Sequence, residues 1–293
     1  MIYEVSHRTV YGYSQPVSIS HHLLHLVPRA RRRQTTRETA LEVTPAPSVR
    51  TSGIDYFGNP TTFLTVQQSH RELVLHALSF VEVRAPVLPA PAATAPWEEL
   101  VARLATDRSP AALEAHQFRF ASPYVPLDGT VEAYGRVSFT PGRPALEAAR
   151  ELTGRIHADF AYDPAATTVA TPLAEAFRLR RGVCQDFAHI QLACLRALGL
   201  PARYVSGYLL THPTEGLTRL VGADASHAWI SLWLPDEGWI DLDPTNDVIP
   251  TDEHITLAWG RDYGDVSPIL GVMLGGGRHE VRVAVDVTAI GRA

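Results

Sequence analysis

The sequence contains no lysine, so all 26 of its basic residues are arginine, against 31 acidic residues in a chain of 293. The formal net charge is −5. A net acidic chain of this kind argues against general binding to nucleic acids or to acidic membrane surfaces. The chain also offers no lysine side chain of its own as an amine acceptor.

Long apolar runs and cysteines are scarce as well. No stretch of about 18 consecutive apolar residues is present, so no membrane-spanning helix is predicted. The first residues, MIYEVSHRTVYGYSQ, lack the basic region and apolar run that are typical of a secretory signal. Two cysteines are too few for a disulfide framework. We therefore expect a soluble cytoplasmic protein without a membrane partner, and nothing in the sequence indicates its oligomeric state.

The order of sequence patterns predicts an α+β fold. Residues 1–84 alternate β-branched and aromatic residues with polar ones, which indicates an N-terminal antiparallel β domain. Residues 85–143 begin with a Pro/Ala-rich linker and continue as a helical connection. Residues 144–270 are predicted to form a core of helices packed on an antiparallel sheet. Residues 271–293 contain a last strand, EVRVAVDVTA, whose partner the sequence does not identify.

Within the predicted core, helical spacing of apolar residues covers 144–159, 172–179 and 183–199. The third helix is followed by Gly199 and Pro201, which form a standard stop signal. The pattern then changes to short strands separated by turn residues: ARYVSGYLL, SHAWISLWLP and GWIDLDPT.

The two cysteines, Cys184 and Cys194, both fall on the third helix. Ten residues of helix separate two positions by about 15 Å, whereas a disulfide requires Cα atoms within about 7 Å. The two thiols therefore cannot bridge. Cys194 lies in the apolar run LACLRAL and is predicted to be a core residue.

Cys184 occupies the first turn of the same helix, where free backbone N–H groups and the helix dipole stabilise a thiolate. The same N–H groups can stabilise a developing oxyanion. The sequence pattern alone allows Cys184 to be a nucleophile, a metal ligand or a small structural side chain. A catalytic cysteine would also need a base and a group that orients the base.

A candidate base and a candidate orienting residue follow Cys184 in the chain. His227 begins an alternating strand 43 residues later, and Asp243 ends the next strand after a further 16 residues. A turn at PDEG would make these two strands antiparallel neighbours and bring His227 and Asp243 together. Asp241 points to the same sheet face and is a rival orienting residue, while His227 taken alone could be an ordinary structural histidine.

These segments resemble the transglutaminase-like superfamily, whose fold is similar to that of papain-type cysteine proteases. The resemblance rests on RGVCQDFAH and SHAWISLWLPDEGWIDLDPTN, which contain in order a Gly-x-Cys, a His-x-Trp and an Asp-Pro-Thr motif. It covers roughly residues 145–250. The segments YGYSQPVSISHHLLHLVPR, DYFGN and GRDYGDVSPILGV resemble a bacterial branch in which a β-rich domain precedes the core.

The resemblance implies a Cys-His-Asp triad of Cys184, His227 and Asp243 that cleaves an amide through an acyl-enzyme. The implied substrate is a peptide, a protein or another amide, and no metal or organic cofactor is implied. Hydrolysis is our first expectation, and a true transglutaminase that transfers the acyl group to an amine is the alternative. A non-catalytic interaction module is a third hypothesis, disfavoured by the intact set of three residues. The Cys184 N–H is an expected oxyanion donor, and a second donor is not identified.

Four further residues are candidates for lining the substrate site: Asp186, Ser226, Trp229 and Asn246. Asp186 lies in the first turn of the cysteine helix, where an acidic residue is also explained by the helix dipole alone. The other three flank His227 or Asp243, and ordinary packing explains them equally well.

A histidine cluster and an arginine-rich segment lie outside the predicted core, and neither is predicted to be a binding site. His21, His22 and His25 form an HHxxH-like cluster, but no carboxylate or cysteine accompanies them at ligand spacing, so metal binding is not predicted. A zinc site built from the triad residues is disfavoured because zinc ligands usually come as close pairs. The arginine-rich segment 29–37 is predicted to be a solvated loop rather than an anion-binding patch.

Overall fold

The computed structural model describes residues 1–211 and 226–291. The strands are β1 (Ile2–Leu24), β2 (Gln34–Thr44), β3 (Val49–Ile54), β4 (Pro60–Val66), β5 (His70–Val83), β6 (Ala161–Tyr162), β7 (Arg181–Gly182), β8 (Ala202–Leu209), β9 (Ser226–Leu234), β10 (Gly238–Leu242), β11 (His254–Gly260), β12 (Ile269–Gly275) and β13 (His279–Gly291). The α-helices are α1 (Trp97–Thr106), α2 (Pro110–His116), α3 (Gly129–Ser138), α4 (Ala145–Asp159), α5 (Leu173–Leu179), α6 (Cys184–Ala197) and α7 (Tyr263–Val266). Short 3₁₀ turns occupy Pro91–Ala93 and Gln117–Arg119.

The N-terminal sheet is antiparallel and is built around β1, which is 23 residues long. The order β2-β5-β1-β4-β3 forms its main path, and β12 and β13 also pair with β1. The last strand, whose partner the sequence left open, therefore returns to the first strand of the chain. A turn at Gly58-Asn59 connects β3 to β4, and Gly58 has the positive φ of 77° that favours glycine there.

The second sheet has four antiparallel strands in the order β10-β9-β8-β11. Helix α6 packs against it and is buried along almost its whole length. Cys194 is fully buried as predicted, and it faces Gly135 of α3, where an added Cβ would lie 3.1 Å from the Cys194 Cβ. A side chain at this position would therefore require its neighbours to move by a few tenths of an ångström. Helices precede an antiparallel sheet as expected, so the predicted α+β class is confirmed.

The two sheets meet at β11, the edge strand of the core sheet. The Gln34 side chain donates to the Thr256 carbonyl at 2.6 Å and accepts from the Thr256 N–H at 2.8 Å. The Asn59 side chain makes the same pair of bonds to the Trp259 backbone, at 2.8 and 2.9 Å. These two amides satisfy edge groups that would otherwise be left without a strand partner. They fix the N-terminal sheet against the core.

The arginine-rich segment lies at this junction, so the prediction of a solvated loop is wrong for part of it. Arg29 is buried, and its guanidinium carbon lies 3.2 Å from the centre of the Trp259 ring. Arg31 donates to Asp241 at 2.8 Å, across 210 residues of chain. Both partners belong to the core sheet, and a local charge pattern carries no information about them.

No helix within residues 1–211 and 226–291 combines the length and the apolar character required to cross a bilayer.

Candidate active site

Helix α6 begins at Cys184, and its first turn is held by Asp186. The Asp186 carboxylate accepts a hydrogen bond from the Val183 N–H at 2.8 Å and one from the Thr167 hydroxyl at 2.6 Å. A Cβ at Gly182 would lie 2.4 Å from the same carboxylate oxygen, so only glycine fits there. The Gly-x-Cys motif is therefore a packing requirement of this helix start.

Asp186 is buried, with 5% of its surface exposed, and its carboxylate is engaged in the helix cap. Burial raises its pKa, against the lowering effect of the bonds from Thr167 and Val183. The sequence-based suggestion that Asp186 contacts substrate gains no support from this placement. Its position matches the alternative interpretation, that of a helix-terminal acidic residue.

Cys184, His227 and Asp243 come together at the end of the core sheet, as the sequence predicted. The Cys184 side chain is partly exposed, and hydrogen bonding and charge interaction with it help to raise the pKa of the His227 imidazole. On the other side of the ring, His227 Nε2 lies 2.8 Å from Asp243 Oδ2. Since Nε2 faces the carboxylate, Nδ1 is the nitrogen available to the thiol. The imidazole therefore bridges the sulfur and the carboxylate.

The His227 imidazole is held in its charged form. Burial alone would lower its pKa, but hydrogen bonds and charge interactions with Asp243 and Cys184 raise it to about 10 from an ordinary value of 6.5. An imidazolium next to a cysteine sulfur stabilises a thiolate, which is the nucleophilic form. The structure thus places a charged imidazolium beside the Cys184 sulfur.

Asp243 is fully buried and accepts hydrogen bonds from five donors within the described residues. Its Oδ1 accepts from the backbone N–H groups of Thr245 at 2.9 Å and Asn246 at 3.2 Å. Its Oδ2 accepts from His227, from the Asn246 side chain at 2.7 Å and from His254 Nε2 at 3.0 Å. Burial favours the neutral acid, yet the bonds from His227 and His254 hold the pKa of Asp243 well below its ordinary value.

His254, at the start of β11, is a residue that the sequence reasoning missed. It is buried, its Nε2 shares the Asp243 oxygen with His227, and its Nδ1 has no hydrogen-bond partner among the described residues. The sheet brings it there, because β11 pairs with β8 and β8 pairs with β9, which carries His227. The available signal was a polar residue opening the apolar strand HITLAWG, and no motif marks it.

Replacing His254 with leucine is expected to lower the free energy of unfolding by about 1.5–3 kcal/mol, the typical contribution of a hydrogen bond to a charged group. The change removes one donor from Asp243 while keeping a similar side-chain volume. Chemical denaturation of the wild type, His254→Leu and His254→Gln measures the effect. The glutamine variant keeps a donor and is expected to lose less. Equal stability of the leucine variant and the wild type would show that the bond does not hold Asp243.

The remaining candidates occupy different environments. Trp229 is fully buried and packs edge-on against His254, with ring centres 5.1 Å apart, so it supports the histidines and offers no exposed surface to a substrate. Asn246 is exposed, and its side-chain nitrogen lies 3.3 Å from His227 Nε2. Ser226 is exposed at the start of β9. Among these residues, Ser226 and Asn246 keep side chains that a substrate can reach.

Asp241, the rival orienting residue, belongs to a different network. It accepts hydrogen bonds from Ser231 at 2.7 Å and from Arg31 at 2.8 Å. Asp243, two residues further on, is the carboxylate that contacts His227. The structure therefore brings together the same pair that the sequence motifs selected.

One group of metal-ligating side chains stands out in the described part of the chain: His227, Asp243 and His254, whose ligand atoms lie within 4.8 Å of one another. The Nε2 atoms of His227 and His254 both contact Oδ2 of Asp243, so a metal ion would have to displace these hydrogen bonds. We treat the group as a hydrogen-bonded set. His21 and His25 bond instead to Thr65 and to the Ser267 carbonyl.

Two family models match separate parts of the chain. Residues 3–82 match the bacterial transglutaminase-like N-terminal region, and residues 136–244 match the transglutaminase-like superfamily. The uncharacterized protein Rv2569c of Mycobacterium tuberculosis is 40% identical over 293 residues, which cover 97% of this chain and 92% of that protein. A protein-glutamine gamma-glutamyltransferase of Pseudomonas aeruginosa is 32% identical over 141 residues, 45% of this chain and 21% of that protein.

A solved structure shares the fold. It is a protein of Cytophaga hutchinsonii described as a "Putative Cysteine Protease", with a TM-score of 0.74 and 17% identity, covering 100% of this chain and 92% of that chain. The likeness confirms the predicted combination of an N-terminal antiparallel sheet with a papain-like core. The chain belongs to the transglutaminase-like superfamily and carries the bacterial transglutaminase-like N-terminal region ahead of its core.

Proposed function

We propose that this protein is a cysteine-dependent hydrolase of amide or peptide bonds, acting through an acyl-enzyme on Cys184. The observation that carries the proposal is the His227 imidazole held between the Cys184 thiol and the buried Asp243 carboxylate. A nucleophile, a proton carrier and an orienting carboxylate in this order are the components of acyl-transfer catalysis.

The chemistry follows from the charges. The Cys184 thiolate attacks the amide carbonyl carbon and forms a C–S bond, and negative charge moves to the carbonyl oxygen. When this intermediate collapses, the C–N bond breaks and the leaving amine takes the proton of the His227 imidazolium. A water molecule then gives a proton to the neutral imidazole as its oxygen attacks the thioester. Breakage of the C–S bond releases the acid and restores the thiolate and the imidazolium.

Two features of the chain support these steps. The first N–H groups of a helix have no partner within the helix, so the Cys184 N–H is available to the oxyanion. Asp243 remains charged throughout and holds the Nε2–H side of the ring, so that Nδ1 faces the sulfur.

Acyl transfer to an amine is the second candidate, because part of the core resembles a protein-glutamine gamma-glutamyltransferase. Both reactions share the acyl-enzyme and differ only in whether water or an amine attacks it. A non-catalytic role is disfavoured, since a module that only binds would not require the buried network around Asp243.

The test is incubation with a library of glutamine-containing and isopeptide-containing peptides, with and without a small labelled primary amine. We expect Cys184-dependent release of ammonia or peptide in both conditions, and a product distribution dominated by hydrolysis. The protein has no lysine, so its own side chains contribute no amine acceptor to the background. Amine incorporation exceeding hydrolysis would identify a transglutaminase, and absence of both products across the library would contradict an amide-cleaving enzyme.

A further inference from the structure

A second site lies between the N-terminal sheet and the core sheet. It is a cavity of about 580 Å³, within the usual size range of small-ligand pockets. None of Cys184, His227 and Asp243 lines it. The lining residues that matter here are Arg31, Arg33, Arg203, Trp239, Asp241 and Trp259.

Arg203 is the most unusual of these residues, because it is a buried charge with few polar partners. Its side chain is 4% exposed, and its Nε and Nη1 make no hydrogen bond within the described residues. The nearest carboxylate oxygen, on Glu114, is 4.0 Å away. Its guanidinium carbon lies 3.6 Å from the centre of the Trp259 ring and 4.0 Å from that of the Trp239 ring. These cation–π contacts hold the group in place and leave its Nε and Nη1 donors unused.

Two further arginines line the cavity from the segment between β1 and β2. Arg31 bonds to Asp241 at 2.8 Å, and Arg33 lies 3.8 Å from the same carboxylate. Buried nitrogen atoms of both, Arg31 Nε and Arg33 Nη1, also lack hydrogen-bond partners in the described structure. Arg31 and Arg33 therefore share one buried carboxylate, that of Asp241, and the other acidic lining residue, Glu237, is exposed at the rim.

This balance of charge leaves the cavity strongly positive. Burial lowers the pKa of Arg203 well below its ordinary value and lowers that of Arg33, and Asp241 offsets the effect only in part. Arginine remains protonated at neutral pH, so the groups stay charged. Buried charges in proteins are normally paired, because an unpaired charge loses its hydration without compensation. The missing partner is negative.

The shape of the site indicates the kind of anion. Planar guanidinium groups bind the two oxygens of a carboxylate or phosphate in parallel. The walls also include apolar side chains, among them Leu88, Ile249 and Pro250, next to the two indole rings. A small organic molecule with one oxyanion group and an apolar or aromatic portion fits both properties.

We propose that this cavity is a binding site for a small organic oxyanion, a carboxylate or a phosphate, held by Arg33 and Arg203 with Arg31 at its side. The site is separate from the proposed catalytic residues. Arg203 lies four positions before Gly207, the residue paired with His227, which corresponds to about 13 Å along the strand.

Isothermal titration of the full chain with benzoate, phenyl phosphate and inorganic phosphate, at constant ionic strength in chloride, tests this proposal. We expect saturable 1:1 binding with a Kd below about 1 mM for at least one probe. Tighter binding of benzoate would identify a carboxylate site, and tighter binding of either phosphate would identify a phosphate site. Absence of saturable binding for all three probes overturns the proposal.

Variants locate the binding. Arg33→Gln, at a partly exposed position, is expected to weaken binding at least tenfold, and Arg203→Met to abolish it. Arg136→Gln serves as the matched control, because Arg136 is exposed on α3 and pairs with Glu132. Binding unchanged in Arg33→Gln, or weakened equally in Arg136→Gln, would show that the cavity is not the site. Binding by the Cys184→Ala variant is expected to match the wild type, so the outcome is independent of catalysis.

Discussion

Replacing Cys184 with serine is expected to lower kcat/KM for an amide substrate by at least about 10³-fold, because a hydroxyl does not form the anion that His227 stabilises. The expected loss is large since the thiolate is the group that forms the covalent bond. The matched control is Cys194→Ala, which changes a fully buried cysteine ten residues along the same helix and is expected to leave kcat/KM within about threefold. If the kcat/KM of Cys184→Ser stayed within tenfold of the wild-type value, covalent catalysis by Cys184 would be contradicted.

The two thiols are also expected to differ in alkylation. Iodoacetamide should modify Cys184 at least about 100-fold faster than Cys194 near neutral pH, because Cys184 is partly exposed. Burial shields Cys194 and raises its pKa to about 12. Unfolding in urea should make the two rates similar. Slow and equal labelling of both residues in the folded protein would argue against a reactive thiolate.

The interaction of Cys184 with His227 also sets the pH dependence of activity. The folded pKa of His227, about 10, lies above its ordinary value of 6.5, so the fold favours the imidazolium. Activity is therefore expected to fall as the pH rises through about 10, where the proton donor to the leaving amine is lost. The contribution of His227 to stability has the same sign: it is fully present below pH 6.5 and is lost as the pH rises to about 10. In Cys184→Ala, NMR titration should show a lower pKa for His227, because one of the partners that raise it is gone.

The sequence was sufficient to identify the residues whose positions follow from local structure. Cys184 begins a helix with clear start and stop signals, and His227 and Asp243 lie at the ends of consecutive strands joined by a short turn. Each position depends on a pattern of a few residues. The pairing of β9 with β10 then follows from the short connection, and Asp243 rather than Asp241 meets the imidazole.

Contacts between distant segments could not be predicted in this way. His254 reaches Asp243 because β11 joins the far side of β8, and this order of strands has no local signature. Arg31 bonds to Asp241 across 210 residues, so a segment with the composition of a solvated loop is partly buried. Trp229 follows His227 by two residues and suggests a pocket wall, yet its ring is fully buried against His254, where Gly207 leaves room for it. In each case a tertiary contact decides what a local pattern leaves open.

Replacing Asp243 with alanine is expected to reduce both stability and turnover, because this carboxylate is the shared acceptor of the whole site. Its removal leaves the His227 and His254 imidazoles, the Asn246 amide and two backbone N–H groups without this acceptor. Breaking a buried charge pair typically costs about 3–5 kcal/mol in the free energy of unfolding. Loss of the residue that orients a catalytic histidine costs on the order of 10³–10⁴-fold in kcat. Chemical denaturation and steady-state kinetics measure the two effects.

Asp243→Asn separates the two roles of this residue. The amide keeps the shape and one acceptor oxygen, so the stability loss is expected to be smaller than for alanine, yet the negative charge that supports the His227 imidazolium is gone. Turnover should therefore remain on the order of 10³–10⁴-fold below the wild type, with the alkaline limb of the pH profile shifted below pH 10. The matched control is Asp262→Ala, because Asp262 is equally buried and its carboxylate accepts hydrogen bonds from the backbone N–H groups of Tyr124 and Gly264. That variant should lose stability while its folded fraction keeps wild-type kcat. If Asp243→Asn retained turnover within tenfold of the wild type, the carboxylate would be a structural anchor and His227 would be oriented by other groups.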